Sequence, residues 1–326
     1  MIKPSFFNLL VCYNDFGFME RKPARVCVVK APCKINLHLG IGEKRPDGFH
    51  DLESIFVPLA LCDTLRFERI GTGGDVLSLH SEIAGLSIKP EENLVLKALS
   101  LFRRHTGFDA ALSIRLEKRI PAGAGLGGGS SDAASALLAL NLLAGKPLSL
   151  EELSPLAALL GSDVPFFLAG GTAFVAGRGE RVQPVKSPGA LWVLLVKPPF
   201  SSDTARSYRL LDEYRELRPA REESLSREVL IQALEQDPRT WPFRNDFLPV
   251  FLEGKGANAA AYRSILEGLR EAGALFSGLS GSGSCCFGVF AERKMVERAE
   301  KELSKGKNYT NCTFFLAQKP DAVLEY

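Results

Sequence analysis

The run Pro121-Ala122-Gly123-Ala124-Gly125-Leu126-Gly127-Gly128-Gly129-Ser130-Ser131-Asp132 has the composition of a loop that meets an anion. Glycine adopts backbone conformations closed to other residues and lets a ligand approach the main chain. The chain then passes directly into residues 133–143, an apolar stretch without Gly or Pro that reads as a buried helix. A helix starting there aims its free N–H groups and positive dipole end into the loop. The chemistry that fits is phosphate binding. Backbone amides and the Ser130 and Ser131 hydroxyls would form the cradle.

Ahead of the loop, residues 112–117 alternate apolar and polar, the period of a half-buried strand. The unit is therefore strand, glycine loop, helix, and three readings compete for it. A flexible Gly/Ser linker is the plainest, although a linker rarely joins a strand to a buried helix. Gly123, Gly125 and Gly128 fit the dinucleotide pattern G-x-G-x-x-G. That pattern needs a further strand ending in an acid about 20 residues on, whereas residues 145–149 lead into another helix. The third reading is a phosphate loop of a nucleotide enzyme. It is not of the Walker A type, because no Lys-Ser or Lys-Thr follows the last glycine.

Two more segments accompany the loop: Lys30-Ala31-Pro32-Cys33-Lys34-Ile35-Asn36-Leu37-His38-Leu39 and Ser277-Gly278-Leu279-Ser280-Gly281-Ser282-Gly283-Ser284-Cys285-Cys286-Phe287. Together the three resemble the signature motifs of the GHMP small-molecule kinases, in the same order. Arg45-Pro46-Asp47-Gly48-Phe49-His50, Gly161-Ser162-Asp163-Val164-Pro165-Phe166-Phe167 and Asn245-Asp246-Phe247 resemble elements of one sub-family. That sub-family phosphorylates an alcohol on a cytidine-diphosphate-linked polyol during isoprenoid-precursor synthesis. The resemblance spans residues 24 to 320.

The resemblance implies a role for each matching residue. Phosphoryl transfer needs positioning and charge neutralisation, and an alcohol acceptor needs a base for its proton. The base falls on Asp163, which lies between the loop formers Gly161 and Pro165. The active-site lysine falls on Lys34. A lysine in a strand is costly to bury unless paired, and pairing with Asp163 would keep that carboxylate ionised. Asn36, two residues along the strand, shares the face of Lys34 and would bond the acceptor hydroxyl. Phe49 and His50 would hold the cytidine by stacking and edge bonding, with the segment 201–208, and Tyr208 within it, on the other side of the base. Phe49 stands where many relatives have Tyr, so stacking survives and a phenol bond does not. ATP would lie on Pro121 to Ser131, with Asn93 against the adenine and the segment 278–284 beside the acceptor. Without the resemblance, Asp163 reads as a turn or helix cap, Lys34 as an edge-strand guard and Asn93 as an N-cap. Phe49 and His50 then read as ordinary hairpin residues. Mg²⁺ is expected to bridge the phosphates. No acidic cluster marks its site, and Ser131 is a candidate ligand.

The implied fold is α+β and two-lobed: an N-terminal lobe like ribosomal protein S5, a C-terminal ferredoxin-like lobe, and the site in the cleft between them. Short strands at 26–29, 64–69, 76–79 and 112–116 precede helices in the first half. The second half reads as strand 191–196, a charged helical stretch, helix 259–272, strand 285–290, helix 293–303 and strand 313–317. The expected divisions are an extension over 1–18, an ATP-binding domain over 19–185 and a second domain over 186–326. Translation is expected to begin at Met19.

Composition agrees with a globular enzyme. Of 326 residues, 46% are hydrophobic and 24% charged, and net charge is +2 with both signs interspersed. Nothing in that balance suggests a nucleic-acid surface. Seven cysteines, an odd number in a long chain, argue against a disulfide framework and for a reducing cytoplasm. No apolar run reaches the roughly 18 residues of a membrane span. The stretch 5–13 is short and interrupted by Asn8, unlike a signal peptide. The expected partner is a small molecule bearing cytidine diphosphate, bound by a monomer or homodimer. Other GHMP acceptors (homoserine, mevalonate derivatives, sugars) and a non-catalytic ligand-binding relative are the alternatives.

Overall fold

A computed structural model describes residues 24–326 except 72, 84, 85, 87, 219–223, 255 and 306. The expected extension over 1–18 and the start at Met19 lie outside the described residues. Two long strands, β1 (Val26–Lys44) and β2 (His50–Arg69), form a hairpin. Next come β3 (Val76–Ser81), α1 (Leu94–Thr106), β4 (Leu112–Lys118), α2 (Gly128–Leu143), α3 (Leu150–Leu160), α4 (Val164–Ala169), β5 (Ala173–Gly177) and β6 (Arg181–Pro184). The second half holds β7 (Trp192–Lys197), α5 (Thr204–Leu217), α6 (Arg227–Ala233), α7 (Phe247–Glu253), α8 (Ala257–Glu271), β8 (Phe276–Leu279), β9 (Cys286–Phe290), α9 (Arg293–Leu303), β10 (Tyr309–Phe314) and β11 (Val323–Glu325).

Two sheets organise these elements. The first runs β11-β1-β2-β4-β3, with β5 also pairing β2, and β6 pairing β5. The second runs β10-β7-β9-β8, the ferredoxin-like order. Sheet membership changes between β6 and β7. The last strand, β11, returns to pair with β1 of the first sheet. One core lies between the first sheet and α1–α4, and includes Phe56, Phe67, Phe102, Leu137 and Phe166. Another joins the two sheets, through Ile35 and Leu37 of β1, Val57 of β2, Val193 and Leu195 of β7, and Phe287 of β9.

The strands expected at 26–29 and 64–69 are the ends of much longer ones. β1 is buried along most of its length, including the polar side chains of its alternating stretch 33–39. Its register shifts between Pro32 and Lys34 and between Asn36 and His38. Such bulges accommodate a proline and re-aim the polar side chains that follow. Strand β8 gives no sequence signal because it is four residues long and contains Gly278. The last strand of the second sheet covers Tyr309–Phe314, earlier than the expected 313–317. Local signals elsewhere agree with the structure. Asn93 caps α1 by accepting from Val95 N, and Gly107 ends it in the left-handed region. Ser149 and Glu152 form a capping box on α3.

His38 on β1 is buried, and its Nδ1 accepts from Arg244 N at 3.3 Å. Burial, reinforced by the Arg244 charge, pushes its imidazole down from 6.5 to about 4. The unfolded chain therefore binds a proton near pH 6.5 that the folded chain refuses until about pH 4. Stability from this group is full above pH 6.5 and falls as pH drops toward 4, by up to about 3 kcal/mol. Urea unfolding between pH 4.5 and 7 should show a flatter acid limb for His38→Gln than for the unaltered chain. Parallel limbs would mean that His38 titrates normally.

Candidate active site

Lys34 lies on β1 with 3% exposure, and its ammonium meets three partners from three elements. Nζ donates to Asn36 Oδ1 at 2.6 Å on the same strand. It stands 3.5 Å from Asp163 Oδ2, just before α4, and 4.5 Å above the Phe56 ring of β2. Asn36 Nδ2 donates in turn to Ser54 Oγ at 2.9 Å, and Ser54 donates to the His38 carbonyl. Asp163 occupies the N-cap position of α4, yet its side chain makes no cap bond. Its carboxylate is partly exposed and pairs with Lys34. The arrangement is a carboxylate held open to solvent by a buried cation, which can take a proton from a hydroxyl.

The glycine loop passes beside this pair. Lys34 N donates to Leu126 O at 2.9 Å, so strand and loop are directly bonded. Gly125 (φ +73) and Gly127 (φ +70) both require the left-handed region. A Cβ on Gly125 would fall 2.0 Å from Ser280 O, and one on Gly127 would meet the Phe167 ring at 2.9 Å and Lys34 Cγ at 3.2 Å. The loop touches the second lobe through Ser280 Oγ to Gly125 O at 2.9 Å, Cys285 N to Ala124 O at 3.2 Å, and Ser202 N to Gly123 O at 3.1 Å. Helix α2 begins at the end of the loop. In its first two turns the Ser131 and Ser135 hydroxyls are buried without a hydrogen-bond partner. Left-handed glycines, a long helix N-terminus and an orphaned hydroxyl suit a phosphate chain and its counter-ion. Among the described residues, no group of three or more His, Cys, Asp or Glu could hold a metal ion. Asn93 caps α1 through its Oδ1, and the neighbouring Leu94 lies 3.6 Å from the Cβ position of Gly129. The start of α1 therefore flanks the loop.

The hairpin tip carries the other nominated residues. His50 is buried and stacks on Tyr208 of α5, with centroids 5.2 Å apart and planes 23° from parallel. Its Nε2 lies 3.3 Å from Asp212 Oδ1 and its Nδ1 3.2 Å from Gly42 O. Burial, with the Asp163 charge adding to it, pushes the Tyr208 phenol up to about 12. Phe49 turns outward at 49% exposure, with the Arg178 guanidinium 3.6 Å over its ring. The structure thus joins His50 to Tyr208 and leaves Phe49 on the rim.

The segment 278–284 is anchored by Asn245, whose Nδ2 donates to Leu279 O and Gly281 O, each at 2.8 Å. Asn245 also bridges in parallel to Leu39 of β1. Thr204 Oγ1 lies 2.9 Å from Ser282 Oγ, and Ser202 Oγ donates to Ser282 O at 2.6 Å. Sequence reasoning missed Ser54, Phe56 and Asp212, whereas Ser202 and Thr204 lie in the nominated segment 201–208. Ser54 and Phe56 depend on strand register, which no local pattern reveals. A cavity of about 860 Å³, lined in part by Ile41, Arg215, Arg244 and Leu279, touches neither Lys34 nor Asp163. Convergent polar groups, and not volume, mark the site.

Gly125→Ala should fail on two counts, a strained φ and a methyl driven into Ser280 O. Expected are a loss of at least ~2 kcal/mol in unfolding free energy and a fall in ATP turnover of about 100-fold. Unchanged melting and turnover would show that the loops of the two lobes do not touch.

Comparison with known proteins agrees with this geometry. The family model for the GHMP kinases N terminal domain matches residues 93–171, and that for the GHMP kinases C terminal matches residues 255–308. The 4-diphosphocytidyl-2-C-methyl-D-erythritol kinase of Salinispora arenicola is 39% identical over 282 residues, covering 85% of this chain and 87% of the relative. Its counterpart in Treponema pallidum is 36% identical over 284 residues, covering 85% and 94%. A crystal structure of 4-(cytidine 5'-diphospho)-2C-methyl-D-erythritol kinase superposes with TM-score 0.72 at 32% identity, over 89% of this chain and 99% of that one. Homoserine kinase from Cytophaga hutchinsonii shares the fold alone, with TM-score 0.65 at 16% identity over 95% and 100% of the two chains. No helix among the described residues is long and apolar enough to cross a membrane. By fold, motif order and identity over most of its length, this chain belongs to the GHMP kinases, in the 4-diphosphocytidyl-2-C-methyl-D-erythritol kinase family.

Proposed function

We propose that this chain transfers the γ-phosphoryl group of ATP to the 2-hydroxyl of 4-diphosphocytidyl-2-C-methyl-D-erythritol, in the non-mevalonate route to isoprenoid precursors. The observation that carries the reading is the 3.5 Å pair of buried Lys34 and half-open Asp163 beside the glycine loop. Asp163 takes the proton of the acceptor hydroxyl as that oxygen attacks phosphorus. Lys34 pairs with the carboxylate and offsets charge at the reacting oxygens. Asn36, fixed by Ser54, orients the hydroxyl. Pro121 to Ser131 cradle the triphosphate with backbone amides, and Asn93 lies toward the adenine. The Ser131 hydroxyl, buried without a partner, is the side chain here that would hold Mg²⁺, which would offset the negative charge of the ATP phosphates. His50 and Tyr208 receive the cytosine, with Phe49 closing over it from the rim. The reading includes a cytoplasmic enzyme that is a monomer or homodimer, acts on a small molecule and not on nucleic acid, and divides into domains near residue 185.

The test is ADP release from Mg-ATP with the cytidyl acceptor, with homoserine, mevalonate and galactose as controls. Turnover is expected with the cytidyl acceptor alone. Turnover with a control alone would discard the roles of Phe49, His50 and Tyr208. ATP binding without any turnover would leave a non-catalytic relative. Asp163→Asn should lower kcat by about 10² to 10⁴-fold while ATP binding persists. Lys34→Ala should lower kcat by about 100-fold or more. Normal turnover in either variant would remove that residue from the chemistry.

A further inference from the structure

Behind the glycine loop lies a second buried ion cluster that the proposed chemistry does not use. Lys118 ends β4, Asp63 lies on β2, and Asp132 lies in the first turns of α2. Their side chains are 4%, 0% and 4% exposed. Lys118 Nζ donates to Asp63 Oδ2, and to Asp132 Oδ2 at 2.6 Å. The other oxygen of Asp63 accepts Arg119 N at 2.5 Å and Ile120 N at 2.9 Å. These two amides immediately precede Pro121, where the loop opens. Asp132 immediately follows Ser131, where the loop closes. Both ends of the glycine loop are therefore tied to one buried lysine–aspartate pair.

The geometry leaves this pair no direct access to a ligand. Lys118 Nζ lies 3.3 Å from the Cβ position of Gly128, beneath the loop, and Ile120 Cγ2 fills the same space at 2.9 Å. Yet the loop needs such an anchor. A glycine-rich segment loses more conformational entropy on ordering than any other sequence. A phosphate cradle built from backbone amides works only if those amides are already aimed. Burying three ionisable side chains is expensive and adds little net stability, so the cluster is better explained by the geometry it imposes.

We propose that Lys118 and Asp63 are positioning residues for the ATP phosphates, acting through the glycine loop whose two ends they hold. The inference rests on the reading of residues 121–131 as the ATP loop. Its signature is selective: breaking the pair loosens the cradle for ATP and leaves the acceptor side, built on β1 and α5, intact.

The experiment compares Asp63→Asn and Lys118→Met with the unaltered enzyme by thermal melting, MgATP titration and steady-state kinetics in both substrates. Asp63→Asn keeps an oxygen for the Arg119 and Ile120 amides but loses the charge that faces Lys118. The expected result is a rise of about tenfold in KM and Kd for MgATP, with the acceptor KM within about twofold. Lys118→Arg keeps the charge and should recover part of what Lys118→Met loses. Folded variants with unchanged MgATP affinity, or equal rises in both KM values, would overturn the proposal. Should Lys118→Met fail to fold, Asp63→Asn and Lys118→Arg decide by the same split. Failure of the unaltered enzyme to bind MgATP would instead overturn the kinase reading beneath it.

Discussion

A lysine ammonium buried in the middle of a sheet must find compensation, and at Lys34 that requirement organises the site. Unpaired, such a charge would cost several kcal/mol. The compensation comes from Asn36 on the same strand, the Phe56 ring on the next, and Asp163 at the start of α4. Phe56 and Asp163 are far from Lys34 in the chain, so the cation converges three elements on one point. The same interaction leaves Asp163 without a capping bond, at a helix start where an aspartate would ordinarily cap. A carboxylate diverted from a structural role and paired with a buried cation is a group kept available for chemistry.

The second constraint is closeness. The glycine loop and the segment around Ser280 approach until no side chain fits between them at Gly125. This contact joins a loop of the first sheet to a loop of the second, supported by Asn245 and by the serine bonds of residues 202 and 284. The site is thus made where two lobes touch, and each lobe supplies backbone as well as side chains. The hairpin tip is held by α5 in a similar way. Tyr208 stacks on His50, Asp212 faces its Nε2, and Arg215 donates to the Ile41 and Gly42 carbonyls. One helical face, at spacings of four and three residues, reads the hairpin.

The charges buried in the first lobe come in sets with distinct tasks. Lys34 and Asp163 face the opening. Lys118, Asp63 and Asp132 lie behind the loop, where burial pushes the Asp132 carboxyl up to about 8. The described cysteines add no covalent links: Cys27, Cys33, Cys62, Cys285, Cys286 and Cys312 are all free thiols. Burial pushes Cys285 up to about 12, so it behaves as a small apolar side chain beside the site.

Local chemistry was legible from the residues. Glycines followed by serines and an apolar helix marked the loop, Asn93 and the segment 145–149 preceded helices, and the three motifs together indicated the family. These signals survive in a linear chain because backbone conformation and capping depend on neighbours a few residues apart. The lengths of β1 and β2 were not legible, since Pro32 and register shifts interrupt β1 and residues 54–59 of β2 are buried on both faces. Strand β8 was hidden by its shortness. Nor could any local pattern indicate that Phe56 lies under Lys34, that Asp212 meets His50, or that Lys118 anchors both ends of the loop. Sequence alone determined which groups were present and which segments could bend around an anion. Tertiary structure alone decided which of them meet, because a buried charge selects its partners by distance in space and not by separation along the chain.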